Sequence, residues 1–428
     1  MIPEARRGDS ATQGIEDRIS NLPRHLIDNI LDCMLIRDAA RTSILSKTWK
    51  NIWETHPNIL LVEQFINPLI SSMKDKKAAE SQYLGVVNSI LLAHVGPILK
   101  FSLCIPAFLH LHDTPYPCLW IKQLPDKGVK ILELHNSASN PVKDMPSYFF
   151  SCSELTKLAL FNWKLNPPLK FRGFSNLIAI SLQFVVFTTD VSFGTQVKHF
   201  QLCDCAGIKY LDSQLTNHGK SITFLNIARR VSMENHYALD YNPYTDRKKS
   251  FNLRRYLGNM RSIETLIVDA ISLKFLDPGL TLHNHLISKM ENLKTLELRD
   301  VAFDDLFVIS NAFCLLRSMP ILECLEIKVG THMDRGVDIK LTTNQYLESL
   351  DCADISLNQL QNVTMRNFMG SRAELLFTKL LLASSPSLKR MTLVRSTEVD
   401  DPKEDFRIAR ELLQFPRKSP VEIFWRMS

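Results

Sequence analysis

A six-residue frame with three apolar positions, Φ-x-x-Φ-x-Φ, returns along most of this chain and restricts its architecture more than any other feature. Its first member falls at Ile98, Val129, Leu155, Leu177, Val197, Ile222, Ile263, Leu293, Leu322, Leu360 and Leu388. Leu155-Thr-Lys-Leu158-Ala-Leu160 and Leu293-Lys-Thr-Leu296-Glu-Leu298 are representative. In most frames the last two apolar positions flank one polar residue, which is the period of a half-buried strand, and the residue three earlier leads the chain into it. Between frames lie apolar stretches at helical spacing, such as Phe275 to Met290 and Phe303 to Met319. A unit of one strand and one connecting segment cannot bury its apolar side alone, whereas stacked copies can. An unrelated α/β domain also reads apolar-polar-apolar along its strands, but a doubly wound sheet rarely repeats one frame so often.

Successive frames are 31, 26, 22, 20, 25, 41, 30, 29, 38 and 28 residues apart. Six of these ten intervals fall in the range of about 20 to 29 residues that belongs to leucine-rich repeats. The fold class expected is therefore α/β, a leucine-rich-repeat solenoid or horseshoe with strands along one side and helices along the other. The interval after Ile222 holds a polar stretch, Val231 to Ser250, that reads as an inserted loop. Solenoids present a long concave face for binding, and chemistry on them is uncommon.

Ahead of the repeats, after a polar tail over residues 1–15 with the composition of a disordered segment, comes a short helical module. Pro23 suits a helix start, and Leu26, Ile27, Ile30, Leu31 and Met34 then make one broad apolar face. Asp38 is placed to cap a second helix running to Leu45, and Ser46 a third that carries Trp49, Ile52 and Trp53 on one side. Three helices in some 40 residues make a very small core, so part of this apolar surface is expected to lie against something else. The following repeats and a separate partner are the two possibilities that spacing leaves open.

The string Asp17-Arg-Ile-Ser-x-Leu22-Pro23, with Ile30-Leu31, Arg37 through Ser43, Leu45-Ser46, Trp49 and Trp53, closely resembles the plant F-box. Trp120-Ile-x-x-Leu-x5-Val129-x-x-Leu132-x-Leu134 is similar to the repeat entry of plant proteins in which leucine-rich repeats follow an F-box. The later Gly370-x-x-x-Glu374-x-x-x-x-Lys379-Leu380-Leu381 and Phe415-Pro-Arg-x-Ser419-Pro-x-Glu422-Ile423 resemble their FBD segment. On this resemblance the chain divides into an F-box over 16–57, an all-α module of three helices, degenerate repeats over 58–359, and an FBD segment over 360–428, which by its own pattern reads as a further repeat unit and a tail expected to cap the array. The resemblance implies a substrate-recognition subunit of an SCF-type cullin-RING ubiquitin ligase. The F-box would hold a Skp-type adaptor, and through it the cullin and RING subunits, while the repeats bind an unidentified target protein. Leu22 and Pro23 would form the adaptor-contacting edge, with Ile30, Leu31, Leu45, Trp49 and Trp53 dividing core and interface work. A leucine-rich scaffold or small-ligand receptor with no role in degradation is the alternative reading.

Composition excludes most catalytic readings and supports none. Glycine is scarce, 14 of 428 residues, under half the usual share of about 7%, and no Gly-rich phosphate loop, G-x-S-x-G or HExxH motif occurs. No catalytic, metal or cofactor-binding residue is expected, and no cofactor. His110-x-His112 and His283-x-His285 are isolated pairs without a third ligand at set spacing. Nine scattered cysteines, Cys203-x-Cys205 being the tightest pair, read as reduced thiols. Of the +6 net charge, +4 lies between Leu360 and Ser428 without forming a basic stripe, so no nucleic-acid footprint is expected. The most apolar stretch, Val86 to Leu111, carries Lys100, Pro97 and Pro106 and reads as no membrane span. With no apolar leader after Arg6-Arg7, the expected location is the cytoplasm or nucleus.

Overall fold

The frames dictate a sheet that grows by one strand per unit. A computed structural model describes residues 19, 21–47, 49–71, 75–109, 116–137, 143–211, 214–215, 218–228, 253–274, 276, 290–330, 337–351, 355–397 and 402–426. Its strands are β1 Asn58–Leu61, β2 Lys100–Ile105, β3 Ile131–Asn136, β4 Lys157–Phe161, β5 Lys164–Leu165, β6 Ala179–Gln183, β7 Val186–Phe187, β8 His199–Cys203, β9 Phe224–Ala228, β10 Thr265–Asp269, β11 Thr295–Val301, β12 Cys324–Val329, β13 Asn362–Phe368, β14 Arg390–Arg395 and β15 Glu422–Arg426. Thirteen of them form one parallel sheet in chain order, from which β5 and β7 pair off separately.

Register across this sheet explains why the frame repeats. The second member of every frame falls in one row, from Phe101 and Leu132 through Leu158, Ile180 and Phe200 to Met391, and the third members fall in another. Every frame member is at most 2% exposed. The alternate residues point to the other, concave side. Burying one such Leu or Ile is worth about 1.5–3 kcal/mol, and because each row continues into the next unit, the main core runs without a break from Ile36 to Val421.

Opposite the strands, the connecting segments follow interval length. Late, long intervals hold regular helices: Leu306–Arg317, Val337–Ser349, Arg372–Ser384 and Pro402–Gln414. The intervals of 22 and 20 residues between Leu155 and Val197 do not, and residues 143–211 contain 3-10 turns and no α-helix. Once the frame and two turns are subtracted, too few residues remain for a helix. Among the described residues the expected helical side is thus missing from the stretch between β3 and β8 and present on either side of it. The segment Phe303 to Met319 does form the expected helix, begun by the Asp305 carboxylate, which accepts hydrogen bonds from the N–H groups of Phe307 and Val308. Most of Phe275 to Met290, the polar stretch Val231 to Ser250, and the pairs His110/His112 and His283/His285 lie outside the described residues.

Residues from Leu360 onward continue the sheet with β13, β14 and β15, and the helix Pro402–Gln414 packs on Arg372–Ser384. Gly370 turns the chain between β13 and that helix at φ +73. Ser371 and Glu374 then cap the helix reciprocally: the Ser371 hydroxyl accepts from Glu374 N–H, and Glu374 Oε2 accepts from Met369 N–H at 2.8 Å and Gly370 N–H at 3.1 Å. Among the described residues, no helix is long and apolar enough to cross a membrane.

Candidate functional site

Two surfaces qualify: the N-terminal helical module and the concave side of the sheet. The module begins with α1, Arg24–Asp32, directly after Pro23, whose backbone is extended. Ile27 and Leu31, one turn apart, face inward, and the neighbouring stripe of Leu26 and Ile30 faces solvent. α2, Ile36–Arg41, starts after Leu35, so Asp38 lies inside its first turn instead of capping it, and the chain tightens into a 3-10 turn over Thr42–Ile44. The third segment is a run of turns: Trp49 N–H bonds Ser46 O at 3.2 Å, Thr55 N–H bonds Ile52 O at 3.2 Å, and Trp53–Thr55 is a 3-10 turn. Bonds to the third residue back tighten the winding, and Trp49 is buried while Trp53 is half-buried.

A separate small core of Ile27, Leu31, Ala39 and Trp49 holds this module together. Of the seven residues expected to hold the adaptor, Leu31 and Trp49 belong to that core, each 2% exposed. Leu22 and Trp53 are half-buried, and Trp53 packs on both the small core and the main one, tying module to solenoid. Pro23, Ile30 and Leu45 are exposed. They are joined on the surface by Ile19, Leu26 and Ile44, the last 87% exposed, which sequence reasoning did not assign to the site. For Leu26 the signal was present, since a stripe one residue over from Ile27 and Leu31 widens the apolar face beyond what four core residues need. Asp17 and Arg18, which open the motif, lie outside the described residues.

Module and solenoid meet at two buried histidines. His56 Nε2 lies 3.1 Å from Asp32 Oδ1, and Asn58 Nδ2 donates to the same oxygen at 2.6 Å. His94 Nε2 donates to His56 O at 3.0 Å, while its Nδ1 is buried with no hydrogen-bond partner among the described residues and Lys127 Nζ donates to His94 O at 3.3 Å. Burial holds the His94 pKa below the ordinary histidine value, and the Lys127 ammonium pushes the same way against the opposing hydrogen bond to His56 O. The unfolded chain therefore takes up this proton more readily than the folded one. The stability tied to His94 is complete above the unfolded value of 6.5 and is lost as pH falls below it. Thermal melts are expected to drop between about pH 7.5 and 5.5 more steeply for the wild type than for His94→Gln, which keeps a donor without titrating.

On the concave side, β3 to β9 surround an open hollow of about 310 Å³. Ala159, Ala179 and Ser181 form its floor, and Glu133, Lys157, His199, Gln201 and Phe224 stand around it. One position further along the strands, His135 and Phe161 stack face to face at 3.9 Å and Phe184 meets Phe161 edge-on at 5.2 Å. Farther along, Glu297 pairs with Arg299, Glu326 with Arg366, and Arg390 and Arg426 both lie over Phe424. Among the described residues no group of three His, Cys, Asp or Glu is placed to hold a metal ion.

This geometry can be set beside known proteins. The F-box domain model matches residues 19–61, and a model of the leucine-rich repeats of an FBD-associated F-box protein, At5g56370, matches residues 119–197. The Arabidopsis thaliana F-box/FBD/LRR-repeat protein At1g13570 is 30% identical over 94% of this chain and 97% of its own length. The chain belongs to the F-box/FBD/LRR-repeat family. A second Arabidopsis family protein, At5g22660, is 21% identical over 94% of the chain and 95% of its own length. The F-box/LRR-repeat protein At3g26922 from the same plant is 27% identical over 35% of this chain and 45% of its own. The F-box match coincides with the helical module and the sheet's first strand, β1, and the repeat match spans β3 to β7 and the floor of the hollow.

Proposed function

We propose that the chain is the substrate-recognition subunit of an SCF-type cullin-RING ubiquitin ligase, without catalytic groups of its own. The observation that carries this reading is that four aliphatic side chains of the F-box, Leu26, Ile30, Ile44 and Leu45, are exposed, as is Pro23, in a module whose own core is four residues. Exposed apolar side chains gathered on one small module mark a protein interaction site. A Skp-type adaptor would cover them, and through it the cullin and RING subunits. Trp53 and the His56–His94 junction fix the module against the solenoid, so a target held on the concave face would sit at a set distance from the ubiquitin-loaded enzyme. Catalysis then reduces to proximity, a lysine kept near a thioester at high effective concentration.

Co-purification with a Skp-type adaptor tests the reading. The wild type should capture it, and Leu22→Ala with Pro23→Ala should reduce capture by about tenfold, which is 1.4 kcal/mol. Full retention by the double variant would overturn the assignment of that edge, and failure of the wild type to capture the adaptor would favour the scaffold reading.

A further inference from the structure

We infer that the hollow over Ala159, Ala179 and Ser181 is the recognition pocket for an extended segment of the target, one that places a bulky apolar side chain beside a carboxylate. This inference rests on the proposed role in target recognition and goes beyond it by naming the place and the chemistry. The hollow exists because three neighbouring concave positions, Ala159 on β4 and Ala179 and Ser181 on β6, carry very small side chains, while Lys157 at the start of β4 and Glu133, His199, Gln201 and Phe224 from the flanking strands stand around them. A gap two strands wide, open to solvent and apolar at its base, fits one large side chain from a peptide lying across the strands. The Ala159 and Ala179 methyls would meet that side chain at the base and the Phe224 ring at the edge.

Charge selects what stands beside that side chain. Glu133 is already occupied, with Lys100 Nζ at 3.2 Å and the Ser102 hydroxyl donating to its other oxygen. Lys157 is exposed and has no carboxylate within ion-pair distance among the described residues. The rim therefore carries one uncompensated ammonium, which favours an acidic neighbour and disfavours a basic one. Next to the hollow, the Phe184 ring, immediately after β6, meets Phe161 edge-on, and Phe161 stacks on His135, so an aromatic border lies beside it.

Selection of random linear peptides displayed on phage, with the full-length chain as bait, tests this. The wild type should enrich peptides with a large apolar residue next to Asp or Glu. Ala179→Leu, which fills the floor, should lower binding of the enriched peptides by about tenfold or more, and Lys157→Glu should reverse the neighbour preference to Lys or Arg. No enrichment, enrichment of basic peptides by the wild type, or unchanged selection with both variants would overturn the inference. Lys157→Glu alters only an exposed side chain, so the charge arm stands even where Ala179→Leu disturbs the fold. Adaptor capture by the same preparations separates the two proposals: capture without peptide enrichment removes only the pocket, and loss of capture by the wild type removes the ligase role.

Discussion

Gly370→Val is expected to lower the thermal unfolding midpoint more than any conservative change on the concave face, and to do so through the end of the solenoid. Gly370 sits at φ +73, where a β-branched residue is strained, and a Cβ built there would lie 2.1 Å from Ile408 Cδ1 and 2.5 Å from Ile408 Cγ1. Ile408 is itself 2% exposed and cannot swing away. Backbone strain and overpacking each cost about 1–3 kcal/mol, so the sum is of the order of 2–6 kcal/mol. Arg407 Nη2 donates to Gly370 O at 3.0 Å, so a shift of this turn is passed on to the helix Pro402–Gln414. Glu374→Ala should act on the same place by another route. It leaves the buried Gly370 N–H and the part-buried Met369 N–H without their acceptor, at roughly 1–3 kcal/mol for the buried group and less for the other. Circular-dichroism melts of both variants check this, and a wild-type midpoint for Gly370→Val would remove the packing argument. The Gly-x-x-x-Glu spacing of the FBD segment is on this account a turn followed by a capping box.

The same physics explains what was legible in the sequence. All eleven frames predicted strands, and all eleven lie in register, because burial of two alternate residues leaves a pattern that survives variable connections. The first and last strands of the sheet were missed. In β1 the position three before Ile59 is His56, and in β15 the position three before Ile423 is Pro420. Each occupies the place of the frame's first apolar member. His56 can be buried there since Asp32 partners it, and Pro420 can remain exposed since β15 is the outermost described strand. The seven F-box residues expected to hold the adaptor rest on resemblance, and their division into core and surface was not legible, since Ile30 and Leu31 are adjacent, both aliphatic, and differ only in direction from the helix axis. The concave hollow was invisible for a related reason. Ala159, Ala179 and Ser181 are spread over 23 residues and become neighbours only once the register is known.

That division inside the F-box leads to the other large effect. Trp49→Ala should abolish adaptor capture by unfolding the module, whereas Ile44→Asp with Leu45→Asp should abolish capture while leaving the fold intact. Trp49 is one of four residues in a core that has no reserve, and removing a buried aromatic costs about 3–5 kcal/mol. The main core is separate, so the loss should appear as hydrogen-exchange deprotection of residues 21–55 with β2 to β14 still protected. Ile44 and Leu45, at 87% and 61% exposure, contribute almost nothing to either core. Carboxylates there should change stability by no more than about 0.5 kcal/mol and still oppose an apolar partner, which would have to bury two charges. If the Ile44 and Leu45 variant captured the adaptor normally, this face would not be the docking surface. If Trp49→Ala kept both protection and capture, the small core would not be what holds the module together. Equal loss of capture with opposite exchange patterns is the result that places the adaptor on the exposed aliphatic row and the tryptophan beneath it.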